Sequence, residues 1–197
     1  SLRVDNSGNL QVVNNAYNAV ILSLTDAGAL TVGSRGISKA SMPAGTILQV
    51  QTAVSGPASQ TISSTSPVAV TGLSISFTPL YSNSLIIIDG ILTGNFTHVF
   101  SWGVFKDGVA TVSTSGYGNN NEANMQFTTY SESAGADARM FAAPLMHRET
   151  AGSTSARTYQ VYCTSGWGGS VYTSYINNRS SQDMASFSYL RIMEVAV

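Results

Sequence analysis

VAVTGLSISF, Val68 to Phe77, sets Leu73, Ile75 and Phe77 on one side of an extended chain and Ser74, Ser76 and Thr78 on the other, and Pro79 ends the run. Strict alternation of this kind is the period of a strand with one face in a core. Working outward, Leu85 to Leu92 is more continuously apolar and reads as a central strand, with Ile47 to Val54 as the first strand before it. Val99 to Phe105 and Val109 to Val112 flank Lys106-Asp107-Gly108, and Asp-Gly between two apolar runs marks a tight hairpin. Arg139 to His147, Thr158 to Cys163, Val171 to Ile176 and Phe187 to Val197 read as further strands, about eight to ten in all after Thr46. No stretch carries a helical period of useful length. The expected class is all-β, a sandwich or barrel.

The final run, SYLRIMEVAV, puts Leu190, Ile192, Glu194 and Ala196 on one face and Tyr189, Arg191, Met193, Val195 and Val197 on the other. Neither face is cleanly polar. Such a strand suits the axis of an oligomer or the centre of a sandwich equally well.

Composition agrees with strands. Of 197 residues only 10% are charged, against roughly 25% in an ordinary soluble domain, so the material of long solvated helices is missing. A net charge of -1 gives no broad attraction to phosphate backbones or anionic lipid, which disfavours nucleic-acid binding. The strongest apolar stretch, Leu85 to Ile88, is far too short to span a membrane, and Ser1 to Asn9 lacks the pattern of a signal peptide. Cys163 is the single cysteine, so it has no intrachain disulfide partner and reads as a small buried apolar residue.

The first residues follow a different rule. Leu2 to Val12, LRVDNSGNLQV, recurs as LSLTDAGALTV at Leu22 to Val32, each copy flanking a turn that carries Gly8 or Gly28 with apolar residues at matching positions. A short hairpin of this sort exposes an apolar edge that one copy cannot bury, so it calls for neighbours from repeats or other chains. Gly33 to Gly45, rich in Gly, Ser and Ala and containing Pro43, breaks the periodicity and reads as a linker. The expected organisation is a shaft of repeats and linker over residues 1–41 and a head over residues 42–197.

With these residues in view, the chain resembles the distal part of a bacteriophage tail fibre. VDNSGNLQV and LTDAGALTV look like the shaft repeats of such fibres, and MPAGTILQV, ISFTPLYSNSLIIIDG, YINNRSSQD and SYLRIMEVAV are similar to a C-terminal domain recurring in phage tail-fibre and structural proteins. The resemblance implies a short intertwined β-shaft followed by a jelly-roll-like β-sandwich head in a homotrimer. It further implies a place on the virion beside other tail proteins, and attachment to a host surface.

Catalytic patterns are thin. Asp89, Asp107, Glu122, Glu132, Asp137, Glu149, Asp183 and Glu194 are scattered with no pairing visible in sequence, whereas polysaccharide-cleaving spikes use carboxylate pairs. No GxSxG elbow is present, and the glycine clusters at Gly116 to Gly118 and Gly166 to Gly169 lack the lysine of a phosphate loop. His98 and His147 lie on separate predicted strands and read as packing or surface residues, although a histidine near a trimer axis would occur three times over. No catalytic residue, cofactor or metal ligand is therefore expected.

Binding chemistry is better represented. Sugars present C–H faces and hydroxyl edges, so a receptor for them needs an aromatic platform beside amide and hydroxyl partners. Tyr117 with Asn119, Asn120 and Asn121 offers that in one stretch, and Trp167 among glycines, followed by Tyr172, offers it in another. Arg179, in the polar run Asn177 to Asp183, could meet an acidic sugar or a neighbouring chain. The plainer alternative is that these are ordinary turns with Trp167 packed on the rim, while Trp102, inside an apolar run, belongs to the core. The leading expectation is a non-enzymatic attachment tip that binds a host cell-surface glycan. An architectural trimerisation or decoration domain of a virion is second, and a polysaccharide depolymerase third.

Overall fold

A computed structural model describes residues 2–13, 20–24, 30–32, 42–112, 125–130, 140–179 and 184–197. Its strands in chain order are β1 (Leu2–Val4), β2 (Leu10–Val13), β3 (Val20–Leu24), β4 (Leu30–Val32), β5 (Ile47–Ser55), β6 (Gln60–Ile62), β7 (Val68–Phe77) and β8 (Leu85–Asn95). Then follow β9 (Val99–Lys106), β10 (Val109–Ala110), β11 (Phe127–Tyr130), β12 (Phe141–Thr150), β13 (Arg157–Trp167), β14 (Ser170–Val171), β15 (Ser174–Ile176) and β16 (Ser188–Val195). Backbone contacts divide the chain into residues 1–46 with Ala196, and residues 47–195 with Val197.

In the first unit, β1 to β4 form one antiparallel sheet in chain order. The two sequence repeats are two hairpins that pair with each other, with Leu10 opposite Leu24 across β2 and β3. The first turn is tied by Asp5, whose carboxylate accepts the Ser7 and Asn9 amides at 2.9 Å and the Gln11 side-chain amide at 2.6 Å. Hydrogen bonds from the side chain and backbone of Asn9 hold that carboxyl below its ordinary range. Gly8 takes a φ of 81° there, which a side chain would resist. The turn of the second copy and most of the linker lie outside the described residues.

The second unit is an antiparallel sandwich. One layer runs β5-β16-β8-β12, with β15 and then β6 continuing it at the C-terminal end of β8; the other runs β7-β13-β9-β11, with β10 and β14 as short hairpin partners of β9 and β13. Numbering only the strands of the two layers along the chain gives the orders 1-8-3-6 and 2-7-4-5, the interleaved order of a jelly roll. The core lies between the layers. Val70, Leu73, Ile75 and Phe77 from β7, Phe100, Trp102 and Val104 from β9, and Tyr159, Val161 and Cys163 from β13 meet Ile86, Ile88, Leu92, Leu145, Leu190 and Ile192. The alternation in β7 is buried on the Leu73, Ile75, Phe77 side, as its sequence requires.

The Asp107-Gly108 turn joins β9 to β10 with both residues at positive φ, 51° and 79°, the conformation a two-residue hairpin demands. Three expectations change. Val171 to Ile176 is two strands broken at Tyr172 and Thr173, because that segment leaves β13 and crosses to pair with β6 and β8. The second unit has twelve strands among the described residues, more than the expected number, since β6, β10, β14 and β15 have only two or three residues each. His98 is not on a strand; it forms the turn into β9 at a φ of 49°.

Candidate functional site

The tight corner between β8 and β9, Asn95 to His98, gathers segments from distant parts of the chain. The Asn95 amide donates to the Asn178 carbonyl at 3.2 Å, and the Thr97 amide donates to Ser174 Oγ at 3.0 Å. The Thr97 hydroxyl donates to the Thr173 carbonyl. His98 lies flat on the Tyr172 ring, with centroids 4.1 Å apart and planes 18° from parallel. Two aromatic rings stacked this way restrain each other and keep one broad face.

Beside this corner the β13–β14 hairpin turns through Gly168 and Gly169, at φ values of 57° and 87°. Trp167 is the last residue of β13 and stands 47% exposed, facing away from the core that buries Trp102. A Cβ at Gly166 would run into the Ser170 carbonyl and the Thr65 methyl, so the hairpin closes tightly on the 63–66 loop. The Ser165 amide donates to the Ser64 carbonyl at 2.7 Å, and Ser63 and Thr173 share a hydroxyl hydrogen bond of 3.0 Å. One end of the sandwich thus carries Trp167, the His98–Tyr172 stack and the hydroxyls of Ser63 and Thr173.

Of the sequence candidates, Trp167 and Tyr172 come to this end on neighbouring strand ends. Arg179 follows Asn178, whose side-chain oxygen accepts the Arg179 amide at 2.9 Å and whose carbonyl is held by the same β8–β9 corner. Tyr117, Asn119, Asn120 and Asn121 lie outside the described residues. Sequence reasoning takes His98 as a packing or surface residue and does not identify Tyr172 as its partner.

The described carboxylates are engaged elsewhere. Asp89 holds Arg191 in a two-point pair at 2.9 and 2.7 Å, and Asp107 accepts the Thr158 amide at 2.8 Å. Glu149 accepts Lys106 Nζ at 2.7 Å and the Tyr159 hydroxyl at 2.5 Å, with His147 Nε2 at 3.8 Å and Arg157 at 3.9 Å. Burial alone would raise its pKa, but His147, Lys106 and Tyr159 together outweigh burial and hold it at about 2. Burial, with the same contact to Glu149 added, pushes the Tyr159 hydroxyl well above its ordinary range. Glu194 is cradled by amides and a hydroxyl inside the sandwich. Glu122, Glu132, Asp137 and Asp183 lie outside the described residues. Among the described residues no group of three or more His, Cys, Asp and Glu could hold a metal ion.

No family model matches the chain, and no curated protein matches it. Among solved structures it is similar to that of infectious bursal disease virus, Gx strain, at a TM-score of 0.38 and 9% identity over 96% of this chain and 43% of that one. It is also similar to the VP2 subviral particle of infectious bursal disease virus, at a TM-score of 0.32 and 10% identity over 98% of this chain and 45% of that one. The chain spans less than half the length of either.

An exposed indole on a short rigid hairpin, a stacked imidazole and phenol, and nearby hydroxyls form a surface with apolar faces and hydrogen-bonding edges. That combination can seat a pyranose ring.

Proposed function

We propose that this chain is the tip of a phage tail fibre, part of a virion, and that it attaches the particle to a host by binding a surface glycan without cleaving it. The observation that carries the reading is Trp167, half exposed at the base of a two-glycine turn, at the same end of the jelly roll as the His98–Tyr172 stack. A rigid aromatic loses little conformational entropy on binding, so it makes a good anchor. The assignment to a fibre draws on the repeats at Leu2 and Leu22 and on the resemblance of the later strings. In a homotrimer the end of each head would present this surface, and several modest sites acting together would bind far more strongly than one.

The test is retention of the full chain on immobilised bacterial surface polysaccharides, with an assay for new reducing ends. Binding without cleavage supports attachment, and Trp167→Ala and Tyr172→Ala should each abolish retention while leaving the fold intact. New reducing ends would instead establish a depolymerase. A chain that neither binds nor cleaves any host polysaccharide would fit an architectural role in the virion.

A further inference from the structure

The corner between β8 and β9 carries rings on both of its flanks, and the His98–Tyr172 stack occupies only one of them. On the other flank the Phe96 ring lies against Phe100, with centroids 4.1 Å apart and planes 1° from parallel. Phe141, the first residue of β12, adds a third ring, 6.1 Å from Phe96 and 14° from parallel. The sequence makes room for this row. Phe141 pairs with Gly94 across β12 and β8, and a Cβ at Gly94 would stand 2.7 Å from the Phe96 ring. Trp102 packs against both Phe96 and Phe100 and wedges the inner rings in place.

The row has a closed end and an open one. Phe100 is fully buried and Phe96 nearly so, whereas Phe141 is 38% exposed. Phe141 shares its side of β12 with the buried Ala143 and Leu145, so it stands at the mouth of the sandwich, where the core meets solvent. Stacking fixes the plane of this outermost ring. A flat apolar face held still in water suits the C–H face of a sugar, and it loses little conformational entropy on binding.

We infer that Phe141 is a second platform of the same glycan site, and that the ligand is a chain of sugars lying across the end of the sandwich. The inference rests on the attachment reading and extends it from a single ring to a polymer. Register sets the two platforms apart. Ser165 pairs with Phe100 across β13 and β9, which carries Trp167 to the level of His98 on one flank, while Phe141 lies in the opposite layer on the other. Layers about 10 Å apart and strands about 4.8 Å apart put Trp167 and Phe141 on the order of 10 Å from each other. One pyranose cannot span that gap, but successive residues of one chain can. The corner that holds Phe96 also holds His98, so one tight turn ties both platforms together.

The experiment is calorimetric titration of the full chain with length-graded fragments of a bacterial surface polysaccharide that it retains. Parent affinity should rise at least tenfold from the shortest fragment that binds to fragments long enough to reach both platforms. Phe141→Leu keeps an apolar side chain without the flat face; it should cancel that rise and leave the affinity of the shortest fragment unchanged. Phe141→Tyr should restore the rise, and Trp167→Ala should weaken every length. Should Phe141→Leu fail to fold, the unaltered chain supplies a second readout. Its Phe141 ring resonances, assigned by their loss from the spectrum of Phe141→Tyr, should shift with long fragments and not with the shortest. An affinity independent of length, an equal loss at every length in Phe141→Leu, or Phe141 resonances indifferent to long fragments would each overturn the inference while attachment at Trp167 stands. A chain that binds no polysaccharide removes the attachment reading and this inference together.

Discussion

Glu194 lies on the buried face of β16, on the side shared with Leu190 and Ile192, where a carboxylate is out of place unless fully paired. Its partners are the Leu80 and Tyr81 amides at 2.8 and 3.0 Å, the Ser84 hydroxyl at 2.5 Å and the Gln49 side chain at 2.6 Å. Burial pulls its pKa up, but these donors, the Leu80 amide foremost, pull it further down. The charge therefore fastens the segment after β7 to the last strand. Glu194→Gln turns one acceptor into a donor facing donors, and should lower unfolding stability by about 1–3 kcal/mol in a urea titration. Glu149 gives a pH signature. Its folded pKa of about 2 lies below its ordinary 4.5, so its contribution is complete above 4.5 and is lost as pH falls toward 2. Stability measured across that window should decline with acid, and Glu149→Gln should flatten the decline.

At the scale of elements, the β13–β14 hairpin decides where Trp167 stands. Gly169 sits at a φ of 87°, and a β-branched side chain there costs about 1–2 kcal/mol locally. Gly169→Val should therefore weaken polysaccharide retention by about tenfold while the melting temperature of the sandwich falls by only about 2–8 °C. The elements differ in how far they could be read from sequence. The bounds of β7 were legible because alternation and a terminal proline are local signals, and the Asp107-Gly108 hairpin for the same reason. β6 and β11 were not, since Gln60–Ile62 and Phe127–Tyr130 are too short for a period and owe their extended form to pairing with β15 and β9. Trp167 and Tyr172 stood out as aromatics beside glycine and serine. Their connection to His98 did not, because a contact between residues 98 and 172 is made by the fold and leaves no trace in either segment.

For the whole molecule, the order of strands explains where the candidate site forms. Interleaving the layers sends the β8–β9, β13–β14 and β6–β7 connections to one end, where the aromatic surface forms. The central claim, that glycan is seated on Trp167, has a direct optical test. The chain has two tryptophans, and Trp102 is buried with its indole N–H on the Pro144 carbonyl at 2.8 Å, so acrylamide quenching reports chiefly on Trp167. Saturating host polysaccharide should protect the quenchable fluorescence of the full chain. Polysaccharide that binds the chain and leaves the quenching unchanged would contradict the account.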